Sequence, residues 1–111
     1  MKRLVALFVL GTLALSTAVA APAAVPAAAP DGAALYAKRT CVACHGAKGD
    51  KPLLPSYPKI AGQNAAYAER QMKDIKSGAR ANAQSAAMKG IMHVVNDEEI
   101  KALATWLEKL K

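Results

Sequence analysis

Cys41-Val42-Ala43-Cys44-His45 decides how this chain is read. It contains the only two cysteines among 111 residues, separated by two positions, with a histidine directly after the second. That spacing reads as a covalent attachment site for c-type haem. Two thiols one turn of chain apart can each add to one vinyl group as a thioether. The next residue then comes up beneath the macrocycle, where its imidazole can bind iron.

Three rivals test that reading. A disulfide between Cys41 and Cys44 is chemically permitted in an oxidising compartment. A structural zinc site needs four ligands. Cys41, Cys44, His45 and His93 supply the number, but adjacent ligands crowd a tetrahedron and no second spaced pair exists. A thiol–disulfide enzyme places its Cys-x-x-Cys at a helix start after a strand, and no strand pattern precedes Cys41.

The surrounding chain divides into three parts. Lys2 and Arg3 open a run, Leu4 to Val19, that is apolar almost throughout, and Ala18-Val19-Ala20 ends it with small residues. This is the pattern of a secretory signal peptide over residues 1–20, cut after Ala20 or Ala21. An uncleaved membrane anchor is its rival, because the run is close to the roughly 17–25 residues that span a bilayer. Residues 21–30 contain only Ala, Pro and one Val, and the prolines favour an extended linker. The domain occupies residues 31–111. Export predicts a periplasmic location, the compartment in which c-type haem is attached.

Charge narrows the partners. The whole chain carries a formal +7. Without Lys2 and Arg3 the basic side chains fall from 15 to 13 against 8 acidic ones, a net +5. A modest basic surplus suits an acidic protein surface. No basic stripe interleaved with aromatics is present, which argues against nucleic acid.

Within the domain the pattern is helical throughout. Asp31 is placed to cap a first helix from Gly32 to about Arg39, burying Leu35 and Tyr36. Gly32 and Tyr36 share one side of it. Residues 46–61 carry Gly49, Pro52, Pro55 and Pro58 and read as a loop, with Leu53, Leu54, Tyr57 and Ile60 apolar enough to fold over a flat prosthetic group. Asn64 caps a second helix ending at Ser77, with Gly78 behind it. Residues 79–95 read as irregular, with a short helix around Ser85 to Lys89. Asn96-Asp97-Glu98-Glu99 is a capping box opening the last helix, whose stripe is Ile100, Leu103, Ala104, Leu107 and Leu110. No period-two run appears, so the fold class is all-α. A domain this small buries a limited core and gains from a covalent staple.

A sixth iron ligand would come from Met72, Met88, Met92 or His93. Met72 falls on a core-facing helix position. Met88 precedes the last helix by enough chain to cross the distal face and ranks first, ahead of Met92, with His93 or an open site behind. A thioether ligand stabilises ferrous iron, which suits an electron carrier.

Gly32-x-x-x-Tyr36, Cys41-x-x-Cys44-His45-Gly46, Tyr57-Pro58-x-x-Ala61-Gly62-Gln63, Tyr67, Gly78-x-Arg80-x-Asn82, Met88 and Asp97-Glu98-Glu99-Ile100 together resemble the class I mono-haem c-type cytochromes, and within them the short bacterial periplasmic group. The resemblance covers essentially all of residues 31–111. It implies the cytochrome c fold, three to four helices wrapped around one covalent haem c, with the first and last helices crossing near Gly32, Tyr36 and Trp106. It further implies Cys41 and Cys44 as thioether carriers, and His45 and Met88 as axial ligands. Pro58, or else Pro55, would offer a carbonyl that orients His45, and Gln63 and Arg80 would approach the propionates. The implied function is one-electron transfer between redox protein partners, without enzymatic turnover or a small-molecule substrate, by a monomer. Lys48, Lys51 and Lys89 are candidates to steer an acidic partner. A haem subunit of a larger oxidoreductase, and an open-site peroxidase or gas sensor, are the competing functions.

Overall fold

The computed structural model describes residues 16–23 and 28–111. The charged start and most of the apolar run assigned to a signal peptide lie outside the described residues, as do four positions of the Ala/Pro linker. Residues 16–23 and 28–31 have no regular structure. No helix among the described residues is long and apolar enough to cross a membrane.

Five helices follow in chain order, and the described residues hold no strand. They are α1 (Gly32–Lys38), α2 (Cys41–His45), α3 (Ala65–Ser77), α4 (Ser85–Met92) and α5 (Asp97–Glu108). Local chemistry sets most of their ends. The Asp31 carboxylate accepts from the Ala33 and Ala34 amides at 2.9 and 3.4 Å, starting α1. Asn64 Oδ1 accepts from the Tyr67 amide at 3.0 Å, starting α3, which ends at Gly78. At α5 the capping box is complete: Glu99 N–H donates to Asn96 Oδ1 at 2.9 Å, and Asn96 N–H donates to Glu99 Oε2 at 3.1 Å. Each such cap satisfies amides that the first turn cannot.

Two elements differ from the sequence reading. The attachment motif itself forms a one-turn helix, α2. The stretch read as mostly irregular holds a full helix, α4, running on to Met92. Its start has no side-chain cap on Gln84, so the sequence carries no boundary signal there. Met88 therefore sits inside a helix.

α5 is the central element, packed by α1 and α3, while α4 packs on α3. The core comprises Leu35 and Tyr36 from α1, Ala68, Met72 and Ile75 from α3, Met92 and Val95, and Ile100, Leu103, Ala104 and Leu107 from α5. Ile100, Leu103 and Val95 are fully enclosed. At the α1–α5 contact a Cβ on Gly32 would run into Trp106 Cβ and stand 2.6 Å from the Ala102 carbonyl oxygen. Only glycine lets the two backbones approach this closely. The Tyr36 and Trp106 rings pack beside it, tilted by 44° with centroids 4.9 Å apart.

An ion pair closes the same contact. Arg39 Nη2, just past α1, donates to Glu99 Oε1 and Oε2 at 2.7 and 3.0 Å. Hydrogen bonding from Arg39 holds the Glu99 carboxyl below the usual carboxylate range. The buried Arg39 Nε has no partner, so losing the carboxylate would strand more of a half-buried charge. α3 is fastened to the other end of α5, where Ala65 N–H donates to Glu108 Oε1 at 3.0 Å.

Gly32→Ala is expected to destabilise the haem-loaded protein by about 1–3 kcal/mol, read as a lower denaturant midpoint. For Glu99 the depressed native pKa sets the sign. Its contribution is full above the unfolded carboxyl pKa of about 4.3 and fades as pH falls through the lower native value. Glu99→Gln should therefore be clearly less stable than the parent near pH 7, with the gap narrowing below about pH 4. Denaturant titrations across that range measure it.

Candidate haem site

A cavity of about 510 Å³ opens between the helices, within the range of about 300–1,000 Å³ typical of ligand pockets. Every helix contributes to its wall. Tyr36 comes from α1, Cys41, Cys44 and His45 from α2, Ala68, Met72 and Ile75 from α3, Met88, Ile91 and Met92 from α4, and Leu103 and Leu107 from α5. Tyr57, Pro58 and Ile60 come from the loop, and Gln63, Tyr67, Arg80 and Asn82 add polar groups. The core thus faces inward on a space that its own side chains leave open.

α2 explains the motif's spacing. Cys41, Cys44 and His45 stand at i, i+3 and i+4 and share one face of a single turn, and all three line the cavity. Val42 and Ala43, on the other face, are exposed. Both thiols are free. Burial, with a smaller contribution from the neighbouring Cys44, pushes the Cys41 thiol up. Among the described residues no three of His, Cys, Asp and Glu gather as a metal site, so the four-ligand zinc alternative is not assembled.

His45 is buried, and its Nδ1 lies 3.0 Å from the Pro58 carbonyl oxygen. A carbonyl can only accept, so Nδ1 carries a proton, and in the neutral ring that leaves the lone pair on Nε2. Pro55 is exposed and is absent from the cavity wall. A second bond was not legible in the sequence: Tyr36 O–H donates to the Gly46 carbonyl at 2.7 Å, tying α1 to the residue after His45. Desolvation by burial, with the nearby Cys41 and Asp50 adding to it, pushes the Tyr36 hydroxyl up to about 12. The only available signal was an aromatic hydroxyl on a core-facing position.

The other candidates divide by location. Met88 is half-buried and Met92 only 3% exposed, and both line the cavity. Arg80 lines it too, with Nη1 donating to Gln71 Oε1 at 3.0 Å and Nε to Asn82 Oδ1 at 3.4 Å. Gln63 is exposed at its rim and accepts from the Asn64 amide at 3.2 Å. His93 is exposed and belongs to a separate depression with Lys73, Lys76 and Asp97, away from the cavity wall. Leu53 and Leu54, expected to fold over a prosthetic group, are 70% and 45% exposed and lie outside the wall. Proline turns around them keep this part of the loop outside; Tyr57 and Ile60 turn in.

The arrangement fits haem c. Two thiols and an imidazole with a fixed tautomer share one face, and largely apolar walls surround the remaining space.

The cytochrome c family model matches residues 29–111. The cytochrome c-553 of Nitratidesulfovibrio vulgaris (strain DSM 19637 / Miyazaki F) is 37% identical over 84 residues, which are 76% of this chain and 80% of that protein. A thiosulfate dehydrogenase electron acceptor of Thiomonas intermedia (strain K12) is 37% identical over 111 residues, all of this chain and 45% of that one. The crystal structure of reduced recombinant cytochrome c4 from Pseudomonas stutzeri superposes with a TM-score of 0.58 at 32% identity, covering 64% of this chain and 38% of that one. The chain thus spans less than half the length of the latter two.

Tyr36→Phe, which leaves the Gly46 carbonyl without its donor, is expected to cost about 1 kcal/mol of stability, measured by denaturant unfolding of the haem-loaded protein.

Proposed function

The chain belongs to the cytochrome c family, and on that footing we propose that it is an exported, freely diffusing electron carrier with haem iron held between His45 and Met88. Electron transfer and one covalently bound haem c follow from the family itself and from the Cys41–Cys44–His45 arrangement. The chain is an electron-transfer protein and not an enzyme. The finer reading concerns ligands, partners and compartment.

One observation carries it: a single cavity is lined by both His45 and Met88. When bound, haem c supplies a reversible one-electron couple at its iron. Cys41 and Cys44 would carry the thioethers. The Pro58 carbonyl would hold His45 in the tautomer and orientation in which Nε2 can ligate. Met88 is favoured over Met92 because the Met92 side chain is already enclosed by the core, whereas Met88 is half-buried at the cavity. Arg80 and Gln63 would meet the propionates. With His45 and Met88 both holding the iron, no position would remain for a substrate.

Cleavage after Ala20 or Ala21 would release the domain, a monomer, into the periplasm. The net basic charge supports redox protein partners with acidic surfaces. Similarity along the whole chain to a thiosulfate dehydrogenase electron acceptor supports a dehydrogenase as one class of electron donor.

The dithionite-reduced protein should show a low-spin ferrous spectrum and fail to take up carbon monoxide at neutral pH. Met88→Ala should become high-spin and bind carbon monoxide, while Met92→Ala keeps the parental spectrum with reduced stability. An unchanged Met88→Ala spectrum would exclude Met88 as ligand. Rapid carbon monoxide uptake by the parent protein would refute the closed-site carrier.

A further inference from the structure

Met88 rides on a helix with little support of its own. α4 starts without a side-chain cap on Gln84, and Ala83 just before it holds a φ of +49°, in the left-handed region that alanine disfavours. Inside α4, a Cβ on Gly90 would meet nothing within 4 Å. No close approach requires glycine there, and the residue weakens the helix. Among the described helices, α4 packs on α3 alone. What holds Met88 in place therefore has to come from α3.

α3 grips both ends of that helix. Before its start, Arg80 N–H donates to the Asp74 carbonyl and Arg80 Nη1 to Gln71 Oε1, both at 3.0 Å. Ser85 N–H, the first of α4, donates to the Asn82 carbonyl at 3.0 Å. Beyond its far end, Lys76 Nζ in the last turn of α3 donates to the Val95 carbonyl. Val95 is 1% exposed and lines the same cavity as Met88. Its own amide donates back to the Met92 carbonyl at 3.2 Å, so the carbonyl that Lys76 holds is joined to the last turn of α4.

Among the described residues nothing else donates to the Val95 carbonyl. A buried carbonyl left without a donor keeps the full cost of its lost water. That cost vanishes when the end of α4 lifts and water reaches the oxygen, so Lys76 sets how readily the helix opens. Lys76 has no direct hold on the site: it is absent from the cavity wall and borders the separate depression with Lys73, Ser77, His93 and Asp97. Asp97 Oδ1 stands 4.0 Å from Nζ and is exposed. Solvent leaves that pair weak, and the carbonyl bond is the stronger link.

Resting on the His45–Met88 reading above, we propose that Lys76 is a positioning residue for the distal ligand. Through the Val95 carbonyl it keeps the far end of α4 seated on α3, and with it Met88 at the iron. An incoming ligand reaches the iron only in the fraction of molecules whose α4 has lifted, so its apparent affinity scales with that fraction. One bond, made away from the cavity, thus sets how firmly the sixth position is closed.

Imidazole is the probe, titrated into the ferric, haem-loaded protein and followed by loss of the methionine–iron charge-transfer band. Lys76→Met keeps a stem of similar length without the donor. It should retain the parental spectrum without imidazole and bind imidazole about tenfold more tightly. Glu99→Gln, destabilised at the α1–α5 contact, should stay within about twofold of the parent. Gly90→Ala, which strengthens α4, should bind imidazole about fivefold more weakly. The comparison repeats in that background, where the firmer helix supports folding: Lys76→Met/Gly90→Ala should bind about tenfold more tightly than Gly90→Ala alone. An affinity that Lys76→Met leaves unchanged, in either background, would overturn the proposal. So would Glu99→Gln tightening to the same degree, because the effect would then be general destabilisation. A parent with no methionine–iron band to lose would instead sink the ligand reading, and the role of Lys76 with it.

Discussion

A cavity of about 510 Å³ is more empty space than a domain this small can hold by itself. At about 24 cal/mol per Å³, leaving such a volume dry and unfilled would cost about 12 kcal/mol. That is comparable to the whole stability of an ordinary domain, about 5–15 kcal/mol. The helices therefore do not enclose a core and then bind a group at its edge. Haem c would sit at the centre of that core, against the apolar residues of α3, α4 and α5 that line the cavity. Covalent attachment through Cys41 and Cys44 makes that centre permanent, which a chain of this size needs more than a larger one would.

The parts that do close without the prosthetic group lie on one side of the cavity. Gly32 lets α1 and α5 touch at backbone distance, Tyr36 and Trp106 pack beside them, and the Arg39–Glu99 pair locks the end of α1 to the start of α5. α2 follows almost at once, with only Thr40 between it and Arg39. The attachment turn is thus suspended from the α1–α5 contact. Tyr36 reaches under it to the Gly46 carbonyl, so the same helix that builds the contact also fixes the far end of the motif. This is why three reactive side chains on a helix of only five residues can hold a common face.

Legibility in the sequence followed the range of the interactions. Features set within four residues were readable: the Asp31, Asn64 and Asn96 caps, the apolar stripe of α5 and the spacing of Cys41, Cys44 and His45. The helix without a side-chain cap, α4, was read too short. Contacts between distant positions had no local trace: Arg39 and Glu99 are 60 positions apart, and nothing near either residue names the other. The apolar loop residues showed a different failure. Composition marks Leu53, Leu54, Tyr57 and Ile60 as equals, but only the folded path of the backbone decides which turn inward. Likewise His93 stands next to Met92 in the sequence, and in three dimensions it lies apart from the cavity that Met92 lines.

That loop also shows how order arises without regular structure. The buried Gly49 carbonyl accepts from both the Ile60 and Ala61 amides, at 2.8 and 3.0 Å, closing the loop upon itself. Its φ of +68° lies in the left-handed region, and a Cβ there would stand 2.9 Å from Ile60 Cγ1, so the closure requires glycine. Pro52, Pro55 and Pro58 remove freedom from the unfolded chain as well. The same closed loop holds the Pro58 carbonyl against His45 on its inner side and turns Leu53 and Leu54 outward. A change in His45 position would have to move a structure pinned at Cys44, Gly49 and Pro58 together. Stiffness of this kind suits a site that gains and loses charge without rearranging, because every displacement tied to the charge change adds to the barrier for electron transfer.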